Sequence, residues 1–236
     1  LADGTRLQKG PADDVRVVDA GTIRYGLVAA GDYVDQDGNK RFRWRAQVNC
    51  YGAEPLMTSL RWGISNNDRR QTHALVKSAT WSLQYDDDNP PMTLSDGSKM
   101  PAQFRVLQDQ ERHATITPLA GDGPVVTRER MDGVFAIVGD GGNGLIWMRD
   151  FWQTWPKGFR VNEDELLVEF LPELPATGYP PPATDNPQDD LFIHYYWHKD
   201  GCYQFKVGME VANDVWIVGG IKGPMAPAQW AAWLDK

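Results

Sequence analysis

A period of two runs through this chain and limits what it can become. In residues 40–50, Phe42, Trp44, Ala46, Val48 and Cys50 alternate with Arg41, Arg43, Arg45, Gln47 and Asn49. Successive side chains of a strand point to opposite sides, so this is a strand with one buried face. Residues 191–198 repeat the pattern, with Leu191, Ile193, Tyr195 and Trp197 against Phe192, His194, Tyr196 and His198. Tyr203, Phe205, Val207 and Met209 repeat it again over 203–209. Asp37-Gly38 separates the run 22–34 from 40–50, and Asp200-Gly201 separates 191–198 from 203–209. Both read as hairpin turns, because glycine accepts positive φ. Further strand-like runs are 14–19, 57–64, 73–85, 102–107, 112–117, 124–130, 134–138, 144–149 and 165–171. The one helical stripe is at the end, where Trp230, Trp233 and Leu234 share a face. The pattern predicts an all-β fold, a large antiparallel β-sandwich over 1–225 with a short C-terminal helix over 226–236. Two polar segments, 86–101 and 172–190, are too rich in proline for central strands.

Charge and composition then narrow the function classes. A hydrophobic fraction of 42% is that of a globular chain. No apolar window reaches the roughly 18 residues of a membrane helix. The net charge of -8 argues against a nucleic-acid binder, which needs clustered positive charge. Two cysteines, Cys50 and Cys202, are too few for a disulfide scaffold, and the sequence leaves open whether they pair. The histidines at 73, 113, 194 and 198 form no zinc spacing, so no metal site is expected. No cofactor is called for, with a structural calcium ion left open. The chain begins Leu1-Ala2-Asp3 without a Met, which suggests a mature, trimmed or partial product, secreted or periplasmic.

Three clusters carry candidate chemistry. The densest is 147–158, with Trp147, Arg149, Trp152, Gln153, Trp155 and Lys157 in twelve residues. Aromatic faces stack on sugar rings and cations pair with carboxylates, which suits an acidic polysaccharide. The competing reading is that the tryptophans fill a thick core and Arg149 pairs with Asp150. In the second cluster, His194, Tyr196 and His198 share one strand face and could transfer protons. Four residues apart on a strand, the two histidines stand ~13 Å apart and cannot chelate one ion. The third is the ladder Arg41, Arg43, Arg45, able to cradle an anionic polymer or simply to be solvated. Asp35 to Asn39 has the flavour of a calcium loop but reads better as a turn. Glu163, Glu165, Glu169 and Glu173 offer carboxylates for a glycosidase pair without a spacing that selects two.

The stretch Gly144 to Gly158, with its Arg-Asp, Gln and Trp-Pro-Lys, resembles a segment of exo-rhamnogalacturonan lyase-like polysaccharide lyases. Leu166 to Glu173, Asp200 to Met209 and Arg41 to Gly52 are similar to further segments of that family, so 144–216 carries most of the resemblance. The resemblance implies the β-sandwich part of a multidomain enzyme, with an α/α toroid to follow and 226–235 leading into it. It implies β-elimination on a rhamnose- and uronate-containing polysaccharide of rhamnogalacturonan or ulvan type. By position, Arg149 and Lys157 would contact the carboxylate, and Trp152 and Trp155 would stack. His194, Tyr196 and His198 are then candidates for proton transfer, and Trp147, Gln153, Arg43 and Arg45 for substrate contact. One departure stands out: Val211-Ala212-Asn213-Asp214 lies where the family tends to show Thr-His-Glu, and an Asn cannot act as a base. The alternatives are a non-catalytic carbohydrate-binding or scaffold domain and a jelly-roll glycosidase using two Glu.

Overall fold

The structure, a computed structural model, describes residues 1–52, 55–68, 72–84, 91–139, 142–174, 198–199 and 201–221. Within these, the chain is all-β. An eight-stranded sheet runs in the order β1 (Gln8–Ala20), β2 (Arg24–Val34), β3 (Lys40–Tyr51), β4 (Leu56–Asn66), β17 (Glu210–Ile221), β12 (Gly142–Met148), β11 (Val134–Gly139) and β7 (Met92–Leu94). A six-stranded sheet runs β10 (Val126–Arg128), β9 (His113–Pro118), β8 (Phe104–Gln110), β13 (Lys157–Val161), β14 (Glu165–Leu171) and β6 (Ala79–Gln84). A small third sheet joins β15 (His198–Lys199), β16 (Cys202–Lys206) and β5 (His73–Val76). Every paired strand is antiparallel; β1 to β4 follow one another through turns, whereas β4–β17, β12–β17, β8–β13, β14–β6 and β16–β5 pair strands that are distant in sequence. The expected terminal helix falls on 226–234, outside the described residues.

The two large sheets face each other across one core. Phe135 of β11 packs on Phe104 of β8 and Phe159 of β13, with ring centroids 6.2 and 4.5 Å apart. Trp62 of β4 stacks on Phe170 of β14 at 4.7 Å. Phe42 of β3 meets Phe205 of β16 edge-on, which ties the small sheet to the same core. The alternation read over 40–50 is the cause: Phe42 and Trp44 are buried facing the core, while Arg43 and Arg45 face outward. A smaller second cluster lies on the outer face of the eight-stranded sheet, where Val134, Leu145, Trp147 and Val218 are buried beside Trp216.

Several elements depart from the expected boundaries. The run 73–85 is two strands, β5 and β6, which break at Lys77-Ser78 and enter different sheets. The segment 86–101 contains β7, accommodated at an edge where unpaired backbone is tolerated. β13 is a central strand that the alternation does not announce, because a lysine occupies its first inward position. Both hairpin turns hold: Gly38 and Gly201 have φ of 81° and 73°. At the first, the Asp35 carboxylate accepts from the backbone N–H of Asp37 and Asn39 at 3.0 and 2.8 Å. That carboxylate caps its own turn, and among the described residues no group of three acidic, His or Cys side chains could hold a metal. Cys50 is an exposed thiol and Cys202 a buried one, so the pair is not bridged.

Candidate functional site

The 147–158 cluster does not assemble into one platform. Trp147 faces outward from β12 and is buried at 5% exposure against its own sheet. Arg149 and Gln153 lie exposed in the turn that follows, Arg149 3.7 Å from Asp150. Trp152 is half-buried, with the Arg130 guanidinium 4.0 Å above its ring. Trp155 is half-buried as well. Lys157 points into the core from β13 at 3% exposure, and its ammonium donates to the Phe170 carbonyl at 2.9 Å. That carbonyl sits where the register of β14 slips between Glu169 and Leu171, so the lysine serves a backbone acceptor next to a bulge. Burial lowers the Lys157 pKa from 10.5 to about 7.

The arginine ladder is largely neutralised by neighbours on the outer face. Arg43 forks onto Asp13 at 2.9 and 2.7 Å and lies 3.6 Å from Asp32. Arg41 reaches the buried Asp68 at 3.0 Å, and Arg45 alone stays solvated. Among the glutamates, Glu169 is buried between Arg105 at 2.9 Å and Arg160 at 3.3 Å, and Glu173 pairs with Lys77 at 2.6 Å. Their carboxylates are engaged with cations rather than with each other. His194 and Tyr196 lie outside the described residues, and His198 is placed only as the first residue of β15.

Among the described residues, a concavity lies elsewhere. The six-stranded sheet ends at β6, while the inner face of the larger sheet continues through β3, β2 and β1. Val15 and Val17 on that extension are 59% and 54% exposed. Where the sheets part, a cleft of about 1130 Å³ opens between the inner face of β2–β4, the strand β6 and the N-terminal segment 1–9. Its volume suits a ligand of several rings. Trp44, Leu60 and Trp62 form the buried floor; Tyr33 and Trp81 stand half-buried at its sides.

Each aromatic is placed by the strand pattern. Tyr33, Trp44 and Trp62 occupy inward positions of three adjacent strands, and Trp81 occupies one on β6. The Trp44 indole lies across β2 because residue 31 is glycine: a Cβ there would stand 2.7 Å from Trp44 Cζ2. Tyr33 meets Trp62 edge-on at 6.4 Å. Burial pushes the Tyr33 phenol up to about 12, so it remains a hydrogen-bond donor at ordinary pH. The Trp44 N–H is buried without a hydrogen-bond partner among the described residues. Lys9 holds its ammonium 4.5 Å over the Trp44 ring. Thr58, Thr80 and Ser82 add hydroxyls. Stacking faces, hydroxyls and donors are what this set offers; its described lining holds no carboxylate or imidazole. The sequence puts Trp44 on a buried strand face and Trp62 and Trp81 in strand-like runs, and nothing local distinguishes a core tryptophan from a cleft one.

No protein-family model and no curated protein matches the chain. Among solved structures, it is similar to a "putative aldose 1-epimerase" from Klebsiella pneumoniae, with 9% identity and a TM-score of 0.45 over 94% of this chain and 56% of that one. It is also similar to a protein of the same description from Escherichia coli, with 9% identity and a TM-score of 0.41 over 88% of this chain and 68% of that one. The chain thus spans little more than half the length of the first. Neither of these neighbours is described as a rhamnogalacturonan lyase. The expected lyase membership is corrected accordingly, and with it β-elimination and polysaccharide degradation as the role. The carbohydrate-binding alternative draws no direct support from them.

Proposed function

We propose that this chain is a ligand-binding β-sandwich whose cleft between β2–β4 and β6 takes a saccharide. The observation that carries the reading is the pairing of half-buried Trp81 and Tyr33 over a floor of Trp44 and Trp62. Sugar rings present apolar C–H faces to aromatic rings and hydroxyls to polar rims. Here hydroxyl side chains and the Tyr33 phenol flank the aromatic surface, which matches that division. The reading rests on the cleft alone and places the ligand away from the 147–158 segment.

Affinity electrophoresis through gels holding neutral or acidic polysaccharides tests it. The wild-type chain and Trp152→Ala should be retarded alike. Trp81→Ala should lose retardation, with affinity falling roughly tenfold for the loss of one stacking surface. Retardation lost in Trp152→Ala and kept in Trp81→Ala would place the ligand at the other tryptophan and sink the proposal.

A further inference from the structure

The charge of the cleft runs opposite to that of the chain. The molecule carries 32 acidic residues against 24 basic ones. Yet the described residues lining the cleft include Arg6, Lys9 and Lys77 and no Asp or Glu. Lys77 is committed to Glu173 at 2.6 Å. Arg6 and Lys9 are different: both are exposed, and neither pairs with a carboxylate among the described residues. Cations elsewhere on the surface are mostly engaged. Arg16, Arg24, Lys40, Arg43, Arg112 and Arg130 each sit within 4 Å of a carboxylate oxygen. The nearby Asp3 turns its carboxylate to the Thr5 N–H at 2.9 Å, which holds its pKa low.

We propose that the cleft is selective for an anionic saccharide, one bearing carboxylate or sulfate groups that Arg6 and Lys9 receive at its mouth. This rests on the cleft reading above. Lys9 holds its ammonium 4.5 Å over the Trp44 ring, so its charge stands against the aromatic floor, within reach of the substituents of a ring seated beside it on Trp62 and Trp81. The guanidinium of Arg6 offers a planar fork that matches carboxylate or sulfate oxygens. Low-dielectric walls strengthen both contacts relative to open solvent. On a chain with a net charge of -8, two cations without a carboxylate partner among the described residues stand beside one cleft and draw a polyanion toward it.

The experiment uses ligands with one backbone and different charge: dextran, carboxymethyl dextran and dextran sulfate oligomers of matched length, titrated by calorimetry at low and high salt. The acidic oligomers should bind roughly tenfold or more tighter than dextran at low salt, with the gap narrowing as salt rises. Arg6→Gln with Lys9→Gln should close the gap by weakening the acidic oligomers far more than dextran; Arg6→Gln alone should close part of it and keeps the Lys9–Trp44 contact. Trp81→Ala should weaken all three ligands. Equal binding of neutral and acidic oligomers to the wild type, still weakened by Trp81→Ala, would overturn the charge selectivity and leave the cleft standing. Acidic oligomers binding as well to Trp81→Ala as to the wild type would overturn the cleft reading itself, as would no binding of any.

Discussion

Lys157 gives the sharpest thermodynamic prediction. Its ammonium is buried in the core with the Phe170 carbonyl at 2.9 Å as acceptor, and burial lowers its pKa from 10.5 to about 7. The unfolded chain therefore keeps this proton up to about pH 10, whereas the folded chain releases it near neutrality. Between those values the unfolded state binds more protons, so stability rises as pH rises. The shift corresponds to about 5 kcal/mol in all, and Lys157 alone returns about 2 kcal/mol of it between pH 7 and 9. Lys157→Met removes the titration. It also leaves the Phe170 carbonyl without its donor, at a cost of about 1–3 kcal/mol. At neutral pH these two effects oppose each other, and the variant should be as stable as the wild type or more so. By about pH 9 the wild type should have gained about 2 kcal/mol on the variant. Urea unfolding followed by tryptophan fluorescence across this range measures both proteins under one protocol. Parallel stability–pH curves for the two would refute the reasoning, because they would show that Lys157 does not titrate between the folded and unfolded states.

Other perturbations follow from the same packing. Glu169→Gln leaves Arg105 and Arg160 facing an uncharged amide beside a buried strand, which should lower stability by about 2–3 kcal/mol, seen as a lower urea midpoint. Gly31→Ala puts a methyl 2.5 Å from the Pro11 carbonyl oxygen and 2.7 Å from Trp44, so β1 and the indole must shift. Its thermal midpoint should fall by the equivalent of about 2 kcal/mol, with a change in tryptophan emission; unchanged values would show that the edge yields freely. Trp62→Ala removes the ring stacked on Phe170 and should cost about 3–5 kcal/mol by chemical denaturation.

The all-β architecture was legible where one face of a strand is buried and the other solvated. The run 40–50 predicts β3 because Phe42 and Trp44 meet the core while Arg43 and Arg45 do not. β13 escaped because Lys157 stands at an inward position, and a buried lysine breaks the alternation that marks a strand. The same residue misled the functional reading. Trp147, Arg149 and Lys157 are neighbours in sequence, but a strand and a turn send them to an outer sheet face, to solvent and to the core. The cleft was illegible for the opposite reason. Arg6, Tyr33, Trp44, Trp62 and Trp81 are scattered over 76 positions and meet only through the pairing of β2, β3 and β4 and the approach of β6. The pairing of Arg43 with Asp13 likewise depends on β1 folding back beside β2, which no local spacing reveals.

The most direct test of the cleft is to ask which tryptophans feel a ligand. The indole N–H resonances of the ten tryptophans, assigned by single substitution, can be followed while an acidic dextran oligomer is added. Shifts are expected at Trp44, Trp62 and Trp81, largest at Trp81, the most accessible of the three, and none at Trp147 or Trp216 on the outer face. Shifts at Trp152 and Trp155 with Trp44, Trp62 and Trp81 unmoved would contradict it.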